Sequence, residues 1–236
     1  MGQLTHGSLF DGFGGLRRGL EDAGIETIWR LELMDGTDIE KSDPRRYARP
    51  DVLSGGPPCK RTSQASAWNR SRTLATLWPE MLRFIKTLRP CWVLVEQPLG
   101  GRSIIIEAAQ ELQFLGYGCA GRVINSEHWV PQRRERWFLV GRLGWHGMAV
   151  WNHIYANRER NDRIERGSSQ EERRADVQPQ SQVFYGNCSH CVRDGIFARI
   201  SARRIACVGA GNAVTQPVAE WIGRRIVAAE ELRGQE

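Results

Sequence analysis

Short apolar runs stopped by glycine or proline alternate with amphipathic stretches along most of this chain. That alternation restricts the fold more than any other feature. Residues 6–10, 27–33, 51–54, 91–95 and 137–140 have the length and apolar character of buried strands. Between them, residues 14–24 place Leu16, Leu20 and Ala23 on one helical side, with Arg17, Arg18, Glu21 and Asp22 elsewhere, and Gly24 stops the helix. Residues 74–88 repeat the pattern through Leu74, Leu77, Met81, Phe84, Ile85 and Leu88, and residues 104–115 form a helix that ends at Gly116. Strands alternating with helices predict an α/β fold, a mostly parallel sheet with helices on both faces. At 236 residues and 41% hydrophobic content, the chain can bury one such core with a small appendage.

The pattern fails between residues 144 and 202. Residues 157–182 are almost wholly polar, with Arg158-Glu159-Arg160-Asn161-Asp162-Arg163 and Gln170-Glu171-Glu172-Arg173-Arg174, and have no apolar period. Apolar character resumes at residues 205–208, and residues 215–232 predict an amphipathic helix through Val218, Trp221, Ile222, Ile226 and Ala229.

Four constellations carry chemistry. In Asp51–Cys59 an apolar strand runs into Gly55-Gly56-Pro57-Pro58-Cys59, whose glycines and prolines end it in a tight loop. The loop puts a cysteine at the carboxyl end of a strand, where open α/β sheets bind ligands. Cys59 there is a candidate nucleophile or a small apolar turn residue. Glu96, after the apolar run 92–95, emerges at the same edge if the two strands are parallel neighbours, which supplies an acid beside a thiolate. Lys60 and Arg61 would lower the thiol pKa. Phe10-Asp11-Gly12-Phe13-Gly14-Gly15 follows one strand and opens a helix, and Glu32, eighteen residues past Gly14, ends the next strand. The glycines allow close backbone approach to a ligand. A carboxylate at Glu32 can accept from two ribose hydroxyls, so a nucleoside cofactor without a pyrophosphate is expected. Arg134 and Arg136 alternate just before a strand and point to one face, and Gly211-Asn212-Ala213-Val214 precedes the last helix, where Asn212 can cap it or offer its amide to a ligand.

A net charge of +6, with arginine well ahead of lysine, favours a polyanionic partner. No apolar run is long enough to span a bilayer, the first residues lack a secretion signal, and six scattered cysteines suit a reducing cytoplasm. Cys188-Ser189-His190-Cys191 has metal-like spacing but no second such pair, so no metal site is expected.

Taken in order, these pieces resemble the C5-cytosine DNA methyltransferase family. The matching stretches are Ser8-Leu9-Phe10-Asp11-Gly12-Phe13-Gly14-Gly15-Leu16, Asp51-Val52-Leu53-Ser54-Gly55-Gly56-Pro57-Pro58-Cys59, Leu94-Val95-Glu96, Pro131-Gln132-Arg133-Arg134-Glu135-Arg136 and Gly211-Asn212-Ala213-Val214. The length and the closing 218–226 are similar to short members from phages and prophages. The resemblance implies a Rossmann-like fold that binds S-adenosylmethionine, with a catalytic core over 1–142, a reduced, largely irregular target-recognition region over 143–205 and a return to the core over 206–236. It implies that Phe10, Gly12, Gly14 and Gly15 hold the methionine part of the cofactor and Glu32 the ribose. Asp38 and Ile39 would flank the adenine, with Pro58, Leu77 and Asn212 completing the pocket. Cys59 would attack C6 of a flipped cytosine in double-stranded DNA, Glu96 would hold or protonate N3, and Arg136 would bind O2, with Arg134 beside it.

The sequence departs from the family pattern at several points. Lys60 stands where glutamine usually follows the nucleophile, Gln97-Pro98 replaces the usual asparagine and valine after Glu96, and the stretch from Glu32 to Asp51 is too short for the usual helix and strand. Lys60 and Arg61 could suit a carboxylated analogue of the methyl donor or could contact phosphate. Two alternatives stand beside DNA cytosine-5 methylation: the same chemistry on RNA, and an inactive DNA-binding or decoy protein. A monomer is expected, with a protein partner able to supply specificity in restriction-modification or in an orphan role.

Overall fold

The computed structural model describes residues 2–58, 76–130, 134–156 and 215–234. Six strands, β1 (Thr5–Leu9), β2 (Glu26–Leu31), β3 (Val52–Gly55), β4 (Trp92–Pro98), β5 (Tyr117–Asn125) and β6 (Glu135–Leu143), form one sheet in the order β2-β1-β3-β4-β6-β5. The pairs β1/β2, β1/β3 and β3/β4 are parallel, while β6 runs antiparallel to both β4 and β5. The helices are α1 (Gly15–Asp22), α2 (Trp78–Leu88), α3 (Arg102–Phe114), α4 (Gly147–Trp151), extended by a π-helical turn over Asn152–Ala156, and α5 (Gln216–Arg233).

Alternation along β4 shows why the sheet is buried on both sides. Trp92 and Leu94 join one apolar cluster with Leu16, Leu20, Val218 and Ile222, from α1 and α5. Val93 and Val95 join the other with Met81, Phe84, Ile105 and Leu112, from α2 and α3. Helices therefore cover both faces, as the strand–helix alternation predicts. Trp92 Nε1 and Arg142 Nε both donate to Glu230 Oε1 at 2.7 Å, which ties α5 to the middle of the sheet through one buried carboxylate. No described helix is long and apolar enough to cross a membrane.

Several elements differ from the sequence expectation. β4 continues to Pro98, so Glu96 lies within the strand rather than after it, because β6 offers partners as far as Arg136. β5 has no counterpart among the expected strands. It is an edge strand without clean alternation, and its Gly118 lies against the backbone of Trp145 and His146, where a Cβ would collide. Residues 147–156, inside the stretch where apolar periodicity fails, are helical and bury Val150, Ile154 and Tyr155. The Tyr155 hydroxyl donates to the Phe138 carbonyl and Arg225 Nε to the Ile154 carbonyl, so tertiary bonds hold this short element. Helix α2 starts at Trp78, with Pro79 in its first turn, where a missing N–H costs nothing. Residues 74 and 75 of the expected helix lie outside the described residues.

Candidate active site

The carboxyl ends of β3, β4 and β1 share one edge of the sheet. Gly55 of β3 is the last residue paired with β4, opposite Val95, and beyond it Gly56 lies beside Glu96 and the Pro57 carbonyl accepts from Gln97 Nε2. A Cβ placed on Gly56 would lie 3.1 Å from Glu96 Oε2, so the loop leading to Cys59 runs directly beside that carboxyl. Glu96 is only 6% exposed. Burial pushes its pKa up to about 7, against the opposing pull of Arg136 first and Arg134 second.

Register explains how both arginines reach Glu96. Glu96 pairs with Phe138 and Pro98 with Arg136. Residues 134, 136 and 138 thus present one parity, and Arg136 is the diagonal neighbour of Glu96. Arg136 Nε lies 3.1 Å from Glu96 Oε1 as an ion pair that lacks hydrogen-bond alignment. Arg134 is pinned by its backbone: its N–H donates to Asn125 Oδ1 at 3.0 Å and its carbonyl accepts from Ser126 N. Burial and the nearby Arg136 lower the Arg134 pKa to about 10, while Glu96 opposes that shift. The result is a dry carboxyl that can carry a proton near neutral pH, faced by two guanidinium groups.

The second part of the edge is the turn after β1. Phe10, Gly12 and Gly14 have φ of 54°, 52° and 76°. Phe10 is a non-glycine residue in left-handed geometry, a strain that surrounding structure must hold. Asp11 supplies that hold. Its buried carboxylate accepts from Ser8 Oγ at 2.7 Å, Arg17 Nε at 3.0 Å and Arg30 Nη1 at 3.3 Å. Gly14 precedes Gly15, the first residue of α1. Glu32 follows β2 directly and caps a 3-10 turn: its Oε2 accepts from Gly12 N at 2.7 Å and its Oε1 from Met34 N at 3.2 Å. Gly12 and Glu32, twenty residues apart, are therefore in contact.

Asp38 and Ile39 lie on the short connection after Glu32. The Asp38 carboxylate accepts from Glu40 N and pairs with Lys41, while the Ile39 side chain is buried with Leu9, Leu31 and Leu53. Arg83 of α2 clamps this connection by donating to the Ile39 carbonyl at 2.7 Å and the Ser42 carbonyl at 2.9 Å. Leu77 N donates to the Pro58 carbonyl at 3.3 Å, which joins the start of α2 to the exposed end of the glycine-proline loop. Cys59, Lys60, Arg61, Asn212, Cys188 and Cys191 lie outside the described residues. Sequence reasoning gave no role to Asp11, Arg83 or Asn125. Asp11 alone left a signal, as the one acid inside the glycine-rich turn.

Comparison with known proteins agrees with this geometry. The family described as C-5 cytosine-specific DNA methylase matches residues 4–182. Type II methyltransferase M.HindV of Haemophilus influenzae is 28% identical over 160 residues, covering 57% of this chain and 52% of that protein. Type II methyltransferase M.FnuDI of Fusobacterium nucleatum is 31% identical over 156 residues, covering 57% and 45%. The chain thus spans about half the length of these curated relatives. Among solved structures, the S. pombe Dnmt2 methyltransferase has the same fold, with a TM-score of 0.50 at 18% identity, covering 61% of this chain and 52% of that one. With residues 4–182 matched by its model, the chain belongs to the C-5 cytosine-specific DNA methylase family.

Proposed function

We propose that this chain methylates C5 of cytosine in double-stranded DNA, with S-adenosylmethionine as donor and Cys59 as nucleophile on a flipped base. The observation that carries this reading is Glu96: buried, near neutral in pKa, flanked by Arg134 and Arg136, and in contact with the loop that leads to Cys59.

The donor suits the β1–β2 part of the edge. Among the described residues a Cβ on Gly12 would meet only the Phe10 carbonyl, at 3.9 Å, so there the turn leaves space for a ligand against its backbone, with the Glu32 carboxylate beside it. In this reading Phe10, Gly12, Gly14, Gly15 and Glu32 hold the amino acid and ribose, and Asp38, Ile39, Pro58, Leu77 and Asn212 complete the pocket. When bound, S-adenosylmethionine supplies an electrophilic methyl group.

The chain's own residues make the base reactive. The Cys59 thiolate adds to C6 while Glu96 gives its proton to N3, so the electrons released by addition reach C5 without building an anion. Arg136 donates to O2 and, with Arg134, favours the charge distribution of the adduct. Once C5 carries the methyl group, its proton passes to water, the electron pair of that C–H bond re-forms the C5–C6 double bond and expels the Cys59 thiolate, and N3 returns its proton to Glu96. Residues 1–142 carry this chemistry, residues 143–205 form a reduced recognition region, and residues 206–236 complete the core.

The decisive test is covalent trapping on duplex DNA containing 5-fluorocytosine, where the C5 position has no proton to lose. The wild-type protein is expected to form a stable adduct. Cys59→Ser is expected to form none while its DNA affinity changes less than about twofold, since phosphate contacts dominate affinity. Absence of a wild-type adduct on DNA, or an adduct with transfer RNA alone, overturns the reading.

A further inference from the structure

Gln97 stands where the family ordinarily has asparagine, and the structure gives its longer side chain a task. It is 1% exposed and donates from Nε2 to the Pro57 carbonyl at 2.7 Å, across forty residues of sequence. Its backbone is held by β6, where Trp137 pairs with Gln97, and two residues earlier by β3, where Gly55 pairs with Val95. Adjacent residues of one strand therefore touch adjacent residues of the loop from opposite faces, Glu96 at Gly56 and Gln97 at Pro57.

The rest of the amide is poorly served. Gln97 Oε1 has no hydrogen-bond partner among the described residues. It lies against Gly101, where a Cβ would come within 2.7 Å of it, so a glycine is what lets the amide fit. A buried acceptor left unmet is unfavourable, and a core chosen for stability alone would use a hydrocarbon here. The donor end is what the position retains.

We propose that Gln97 is a positioning residue: its amide N–H fixes the glycine-proline loop against Glu96, and so sets where Cys59 meets the base. The inference rests on the methyltransferase reading above. Met at this position keeps the length and removes the donor. Among the described residues it exchanges one unmet acceptor, Gln97 Oε1, for another, the Pro57 carbonyl, so thermal stability should move by no more than about 3 °C. Misplacing a nucleophile by about 1 Å costs roughly 10²-fold in rate. Asn keeps the donor but stops about 1.5 Å short, one carbon–carbon bond.

The experiment compares single-turnover adduct formation on 5-fluorocytosine duplexes for wild type, Gln97→Met and Gln97→Asn, together with melting temperature and cofactor KM. The expected result is a loss of about 10²-fold for Met and a smaller loss for Asn, with melting temperature and cofactor KM unchanged. A wild-type adduct with Gln97→Met equally fast overturns the positioning role alone. Equal losses in rate, stability and cofactor KM also overturn it, since they describe a merely structural residue. If the Met variant does not fold, Asn decides: a rate at or above wild type rejects the inference. No wild-type adduct at all would instead sink the underlying function.

Discussion

The two halves of this sheet edge are built on opposite principles. At the β3–β4–β6 end, a charged group is taken out of water and held by side chains: Glu96 is buried, its pKa rises to about 7, and Arg136 meets it at 3.1 Å. At the β1–β2 end the backbone does the work. Three left-handed residues shape the turn, and Glu32, only half-buried, bonds main-chain N–H groups of Gly12 and Met34. One end tunes a proton; the other leaves space for a ligand beside a carboxylate. Chemistry that needs a shifted pKa requires dryness, whereas binding a polar cofactor requires access, and a single pocket cannot maximise both.

Glu96→Gln should separate the two ends most sharply. The amide cannot deliver a proton to N3, so kcat is expected to fall by about 10²–10³-fold with cofactor KM unchanged. The wild-type kcat/KM should also decline above about pH 7, as Glu96 loses its proton, and the variant should lack that decline. Steady-state kinetics from pH 6 to 9 checks both. A matching rise in cofactor KM would mean that the ends are not independent.

Gly14→Ala probes the other end. The φ of 76° strains any side chain by about 1–2 kcal/mol, and a Cβ there would also press on the Arg17 guanidinium, which Asp11 and Glu21 hold. Cofactor affinity by calorimetry is expected to fall about tenfold, with kcat at saturation close to wild type. Arg83→Met should act in the same direction but more weakly, by about threefold, since it loosens the clamp on residues 39–42 without touching the turn itself. A loss confined to kcat in either variant would break the comparison.

The two ends also differed in how far sequence disclosed them. Residue types with strict local spacing were legible: the glycine-rich turn, Glu32 eighteen residues on, and a glycine-proline loop closing a strand. Parity made Arg134 and Arg136 readable as a pair. What fixes these groups was not legible, because it depends on partners distant in sequence. Asn125 holds Arg134 only because β5 pairs with β6, and Gln97 looked like a mere departure until β3 lay beside β4. Helix α4 was invisible for the same reason, since ten residues without long periodicity fold there against an existing sheet.

The smallest expected effect is a near absence of one. His6 sits in the middle of the parallel strands, 0% exposed, between Thr27 Oγ1 and Ser54 Oγ, and burial lowers its pKa from 6.5 to about 3. Between those values the unfolded chain binds a proton that the folded one refuses, so His6 makes stability fall as pH falls below 6.5. Glu96 has the opposite sign. Its folded pKa of about 7 exceeds the ordinary 4.5, so between those values the folded chain holds the extra proton and stability rises as pH falls. From pH 6.5 to 4.5 both groups act with equal slope, about 1.4 kcal/mol per unit, and cancel. For this pair of groups, urea titrations of the wild type should therefore be nearly flat across that window and steepen below it, where Glu96 no longer offsets His6. Glu96→Gln removes one slope and should expose a loss of about 3 kcal/mol over the same two units. A wild type that already loses that much would mean that the folded protein keeps Glu96 ionised, and the dry end of the edge would no longer differ in kind from the open one.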